Sequence, residues 1–145
     1  MDKQIECIQH ITKDIGTIEK IIEVLIKARK SGKNIFTMGN GGSASTASHF
    51  VSDLLKTAIT EGDKRFRAIS LTDNTPVMLA WSNDTSYDDV FVEQLKNFLG
   101  NGDIVIGFSG SGKSKNVMNA LKHARENGAF CIGITGMSGG LFPKY

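Results

Sequence analysis

Two glycine- and serine-rich stretches carry the residues best suited to chemistry. GNGGSASTASHF runs from Gly39 to Phe50, and GFSGSGKS runs from Gly107 to Ser114. Backbone N–H groups at a helix N-terminus attract anions, and seryl hydroxyls add hydrogen bonds that do not depend on pH near neutrality. The ligand chemistry this favours is a phosphate on a small molecule. His49 and Asp53 form a third candidate, four residues apart. On a helix that spacing puts both side chains on one face. An imidazole and a carboxylate there could move protons, hold a metal, or form a solvated surface pair.

Each glycine stretch also matches a nucleotide fingerprint. The second fits G-x-x-x-x-G-K-[ST], the P-loop of triphosphatases. Gly39, Gly41 and Ala44 fit G-x-G-x-x-[GA], with Asp73 as a candidate ribose-binding acid. Short glycine patterns recur at strand–helix turns, so neither match is specific alone. A triphosphatase also needs an acid at a neighbouring strand end to hold magnesium. AFCIGITGM offers none, and Asp73 lies two residues past the apolar run RAISL. A P-loop also normally follows a domain's first strand, whereas this stretch follows the third.

The elements that must position these loops alternate along the chain. The β-prone runs NIFTMG, RAISL, DIVIGF and AFCIGIT are separated by helical patterns at about 43–58, 76–82, 87–99 and 114–127. Alternating strands and helices predict a doubly wound, mainly parallel α/β sheet covered on both faces. In the common order 2-1-3-4-5, strands 1 and 3 are neighbours at the topological switch point, where ligands bind beyond the carboxyl ends. The loops at 39–45 and 108–114 would then face each other across one crevice. Before the first strand, Ile5, Ile8, Ile11, Ile15, Ile18, Ile22 and Leu25 recur at steps of three and four, a helix face with a candidate interruption at Gly16. Core packing and a subunit interface both explain that stripe.

Bulk properties narrow the classes. The 145 residues predict one domain over 1–145, with a helical segment at 1–31 and an α/β core at 32–145. A hydrophobic fraction of 40% and a charged fraction of 22% are those of an ordinary globular chain. A net charge of +2 gives no argument for nucleic acid or an anionic membrane as partner. Cys7 and Cys131 lack partner spacing for a disulfide or zinc framework, which fits a reducing cytoplasm.

Taken together, the motifs resemble the sugar isomerase (SIS) domain, in its phosphoheptose isomerase branch. The resemblance rests on Gly39–Ser43, then His49–Phe50, then Asn83–Asp84, then Ser109–Ser114, in that order and at similar spacing, with GITGMSGG near the end. It implies a flavodoxin-like parallel sheet, a cytoplasmic homotetramer, and an aldose–ketose isomerase acting on sedoheptulose 7-phosphate. It assigns Ser109, Gly110, Ser111 and Ser114 to the substrate phosphate. Asn40, Gly41, Gly42 and Ser43 would meet the sugar, with Asn83 and Asp84 nearby. Lys113 stands where asparagine is usual, and that lysine is what makes the loop spell a P-loop.

The resemblance also implies that Asp53 is the catalytic acid/base with His49 beside it. The family has a glutamate at the Asp53 position, one methylene longer. Some members bind zinc through that glutamate, the histidine matching His49, and a late glutamine and histidine. No such late pair exists here: the histidines are His10, His49 and His123, and the chain ends at Tyr145, before the expected fifth strand and last helix. The resulting expectation is a phosphosugar isomerase with zinc as a candidate cofactor on His49 and Asp53. The alternative from another class is a non-catalytic SIS protein that binds a phosphosugar or a replication initiator.

Overall fold

In a computed structural model the described residues are 15–136 and Phe142. Eleven elements lie in the order the sequence predicts. Helix α1 is Ile15–Ser31, β1 is Asn34–Met38 and α2 is Gly42–Ser52, continued by one π-helical turn, Asp53–Thr57. Strand β2 is Arg67–Ser70, α3 is Thr75–Asp84, and a short 3-10 turn, Tyr87–Asp89, leads to α4, Val92–Phe98. Strand β3 is Ile104–Ser109, α5 is Lys115–Glu126 and β4 is Phe130–Thr135.

The sheet order is β2-β1-β3-β4, and every pair is parallel. Met38 aligns with Gly107 across the β1–β3 pair, so the two glycine stretches leave the sheet side by side. This is the doubly wound arrangement expected, over the four strands present.

Strand periodicity sends alternate residues to opposite faces. Ile35, Ile104, Ile106 and Phe108 pack with Ala47, Val51, Leu25 and Ala28 under α1 and α2. Phe36, Met38 and Val105 pack with Leu95, Val117, Leu121 and Ala124 under α4 and α5, with Trp81 and Met78 of α3 against the edge. Buried polar groups tie the layers together. Thr37 donates its hydroxyl to the Ala47 carbonyl at 3.0 Å, fixing α2 on β1. The Gln94 amide donates to Leu71 O at 3.0 Å and Val90 O at 2.9 Å, fixing α4 at the end of β2. Asp103, ahead of β3, accepts from the backbone N–H groups of Asn34 and Gly100, both at 2.9 Å.

Three expectations change. Helix α1 runs through Gly16 without a break. Of the described part of the predicted stripe, it buries Leu25 but not the isoleucines, and it adds Ala28. Ile15, Ile18 and Ile22 are 52%, 41% and 50% exposed. The part of the stripe before Ile15, and Cys7, lie outside the described residues. The predicted helix at 87–99 divides in two, because Ser86 caps the short turn at Asp88 N before α4 starts. Helix α3 reaches Asp84, so Asn83 and Asp84 occupy its last turn rather than a loop. No described helix is long and apolar enough to cross a membrane.

Candidate functional site

The first loop is shaped by its glycines. A Cβ on Gly39 would lie 2.5 Å from the Ser43 carbonyl oxygen, so only glycine lets the chain fold back against the start of α2. Gly41 adopts φ 53°, ψ −123°, a region disfavoured for L side chains, and is the N-cap of α2. The helix therefore opens with no side-chain cap. Ser43 N bonds back to Asn40 O at 3.0 Å, closing the turn.

The second loop is held by its own hydroxyls. Ser109 is 4% exposed. Its Oγ accepts from Gly112 N at 3.1 Å and lies 3.0 Å from Ser114 Oγ. Ser111 is exposed and accepts from Lys113 N at 3.2 Å. Ser114 is the N-cap of α5, yet its hydroxyl bonds Ser109 and not the helix, which also has no side-chain cap from it. Contrast α3, where Asn74 Oδ1 accepts from Val77 N at 3.4 Å. Two helices thus enter the crevice with their N-terminal N–H groups uncapped by the N-cap residue, an arrangement that favours an anion. Lys113 is exposed at the rim.

One contact joins the loops directly. Asn40 Nδ2 donates to Asn116 Oδ1 and Asn116 Nδ2 donates to Asn40 Oδ1, both at 2.9 Å. Tyr87 OH donates to Asn40 Oδ1 at 2.7 Å. Sequence reasoning missed both Tyr87 and Asn116. The only signal for Asn116 was a polar side chain on the inward face of α5.

His49 and Asp53 do share a face, with Nε2 and Oδ2 3.4 Å apart. Both are exposed, 77% and 55% by side chain, and they line a shallow hollow of about 350 Å³ with Ser45, Thr46 and Phe50. Thr57 donates to Asp53 Oδ1 at 3.0 Å from across the π turn, which begins at Asp53 itself. Widened turns of this kind recur at functional positions in helices. The phosphate-loop serines do not line that hollow. Asn83 donates to Asp84 at 2.8 Å, both exposed at the end of α3. The larger cavity, about 440 Å³, lies at the amino ends of β3 and β4 between Val24, Lys27 and Phe130, away from these groups.

Asp73 accepts from the hydroxyl of Ser48 on α2, and Ser48 lies 3.1 Å from Thr72 Oγ1. The acid that a nucleotide reading would use instead ties the end of β2 to α2. Zinc would need more than two ligands. His49 and Asp53 supply a nitrogen and an oxygen, but among the described residues no third His, Cys, Asp or Glu joins them. Among the described residues His49 and Asp53 are thus two candidate ligands without a third.

A parallel sheet with two helix starts side by side at its switch point, neither capped by its N-cap side chain, places the chain in a known class of α/β domain. The SIS domain family model matches residues 2–136, and the chain belongs to that family. Several of its relatives are named phosphoheptose isomerases. It is 42% identical over 131 residues to the probable phosphoheptose isomerase of Thermoplasma volcanium, covering 90% of this chain and 66% of the relative. It is 40% identical over 144 residues to the phosphoheptose isomerase of Clostridium acetobutylicum, covering 97% and 73%. The chain thus spans about two thirds of the length of the curated relatives it matches. The solved structure of phosphoheptose isomerase GmhA from Neisseria gonorrhoeae matches with a TM-score of 0.77 at 30% identity, over 97% of this chain and 79% of that one. A phosphoheptose isomerase from Francisella tularensis, 24% identical, shares the fold with a TM-score of 0.80 over 99% and 81%.

Proposed function

We propose that the chain is a phosphosugar isomerase that interconverts sedoheptulose 7-phosphate and D-glycero-D-manno-heptose 7-phosphate through an enediol. The observation that supports this reading is the Asn40–Asn116 pair, which ties the glycine loop after β1 to the start of the helix that follows the serine loop. The names of the relatives support the same chemistry and do not favour the binding-module alternative.

In this reading Ser109, Ser111, Ser114 and the N–H groups opening α5 hold the phosphate, with Gly110 letting the backbone approach it. Asn40, Gly41, Gly42 and Ser43 face the sugar, and Asn83 and Asp84 flank it. Phosphate binding anchors one end of the substrate so that the carbonyl end is presented to α2. The Asp53 carboxylate removes a proton from the carbon next to the carbonyl. That proton returns to the adjacent carbon while the oxygen protons exchange, with His49 as donor and acceptor. The setting is cytoplasmic, and the assembly is a homotetramer to which the exposed Ile15, Ile18 and Ile22 face contributes.

The test is aldose formation from sedoheptulose 7-phosphate in a coupled assay, with affinity by calorimetry, for wild type, Asp53→Asn and Asp53→Glu. Removing a general base lowers the rate by about 10²–10⁴-fold. Asp53→Asn loses turnover on that scale and keeps affinity, and Asp53→Glu retains turnover. Full activity in Asp53→Asn removes Asp53 from the mechanism, and absence of sugar-phosphate binding by wild type defeats the reading as a whole.

A further inference from the structure

The orientation of the Asn40 amide is fixed by a chain of hydrogen bonds that starts at a backbone group. Val117 N–H can only donate, so the Asn116 atom it meets at 2.9 Å is the oxygen. That settles which way the Asn116 amide points, and its Nδ2 must then face the oxygen of Asn40. Tyr87 OH meets the same oxygen at 2.7 Å. A carbonyl oxygen has two lone pairs. Asn40 Oδ1 spends both, one on Asn116 and one on Tyr87. Asn40 Nδ2 spends one N–H on Asn116 Oδ1 and keeps the other. Toward a ligand, Asn40 can therefore donate and cannot accept.

We propose that Tyr87 and Asn116 are positioning residues that lock Asn40 as a hydrogen-bond donor, aimed at the substrate oxygen that gains negative charge as the enediol forms. The proposal rests on the isomerase reading and assigns roles to two residues that reading does not use. Asn116 is suited to the task because it is 2% exposed, so water does not compete for its amide. Tyr87 sits three residues beyond Asp84 on the short turn before α4. It reaches the loop after β1 across 47 positions of sequence. The anchor on α5 is 76 positions away. A donor fixed in place before reaction stabilises developing charge without reorganising, and a freely rotating asparagine would offer its oxygen half of the time.

Tyr87→Phe removes one hydroxyl from a half-exposed ring, so the fold is kept. Loss of one such bond is expected to lower kcat on sedoheptulose 7-phosphate by about three- to tenfold. KM moves by less than about twofold, because the phosphate contacts are untouched. In an Asn40→Ala background the same substitution has no further effect, since both act through one amide. Asn116→Ala behaves in the same way with a larger loss of kcat. Full kcat in Tyr87→Phe, or an equal cost in both backgrounds, overturns the proposal. If wild type shows no turnover, the isomerase reading fails, and nitrogen-15 NMR of the side-chain amides decides the lock by itself. A shifted and faster-exchanging Asn40 amide in Tyr87→Phe supports it, and an unmoved one overturns it.

Discussion

Gly107 in β3 offers a direct test of how tightly the loop that ends at Ser114 depends on packing behind it. A Cβ built on Gly107 would lie 2.7 Å from Val117 Cγ1 and 3.1 Å from Leu121 Cδ1. Carbon atoms prefer about 3.5–4.0 Å, so Gly107→Ala forces a retreat of roughly 1 Å. Strand β3 cannot supply it, because Gly107 is paired with Met38 on one side and Gly133 on the other. The movement falls on α5, whose Val117 is fully buried. Overpacking of this kind costs about 1–3 kcal/mol. For a domain of this size that corresponds to roughly 3–9 °C in Tm. A 1 Å displacement of α5 carries Asn116 with it. The 2.9 Å bonds to Asn40 then pass beyond 3.5 Å. Urea unfolding should show a lower midpoint at unchanged slope, and turnover should fall with stability. In a Val117→Ala background, which removes the opposing methyl groups, Gly107→Ala should cost at least about 1 kcal/mol less. Wild-type stability in Gly107→Ala, or the same cost in both backgrounds, refutes the reasoning.

Other outcomes follow from the same geometry. Ser111→Ala should weaken sedoheptulose 7-phosphate binding about ten- to a hundredfold in calorimetry, the scale of one hydrogen bond to a charged group. Ser109→Ala should do the same and also lower the unfolding midpoint, because Ser109 holds Gly112 and Ser114 in the free loop. Lys113→Ala should change phosphosugar affinity little, and ATP and GTP should not be hydrolysed; a magnesium-dependent triphosphatase lost in Lys113→Ala would reverse the assignment of the loop. Burial pushes the Cys131 thiol above its ordinary value of 9.0, against a smaller opposing effect of Arg125. In a Cys7→Ser background Cys131 should react slowly with thiol reagents at neutral pH. The folded state binds this proton more tightly than the unfolded state, so stability falls as pH rises above about 9, and Cys131→Ala flattens that decline.

The sheet was legible because its signals are local. NIFTM, RAIS, IVIGFS and FCIGIT each combine β-branched or aromatic residues with a glycine-rich or polar stop. The glycines of the Gly39–Ser43 stretch and the serines of the Gly107–Ser114 stretch were equally plain. What escaped notice depends on distance or on exposure. Tyr87 and Asn116 acquire meaning only from Asn40, far away in sequence. The π turn at Asp53 has no compositional mark. The isoleucine stripe of α1 has perfect helical spacing, yet periodicity cannot say which of two adjacent faces meets the sheet. Val24, Leu25 and Ala28 meet it, and Ile15, Ile18 and Ile22 do not.

The pairing of β1 with β3 also fixes when the crevice can exist. Asn34–Met38 is made well before its partner, which begins at Ile104. At a synthesis rate of about 5–20 residues per second, the roughly 65 intervening residues take about 3–13 s to appear. Throughout that interval the loop after β1 has no neighbour across the crevice, and Asn40 has no Asn116. Hairpins close within microseconds of being made, whereas this central pair must await a long loop closure. Until β2 is made neither edge of β1 is covered, and from then until β3 appears Phe36 is paired on one side only, with Ile69. On the isomerase reading, phosphosugar binding therefore arrives late, and a ribosome-bound series of increasing length should switch from no binding to binding once α5 clears the exit tunnel.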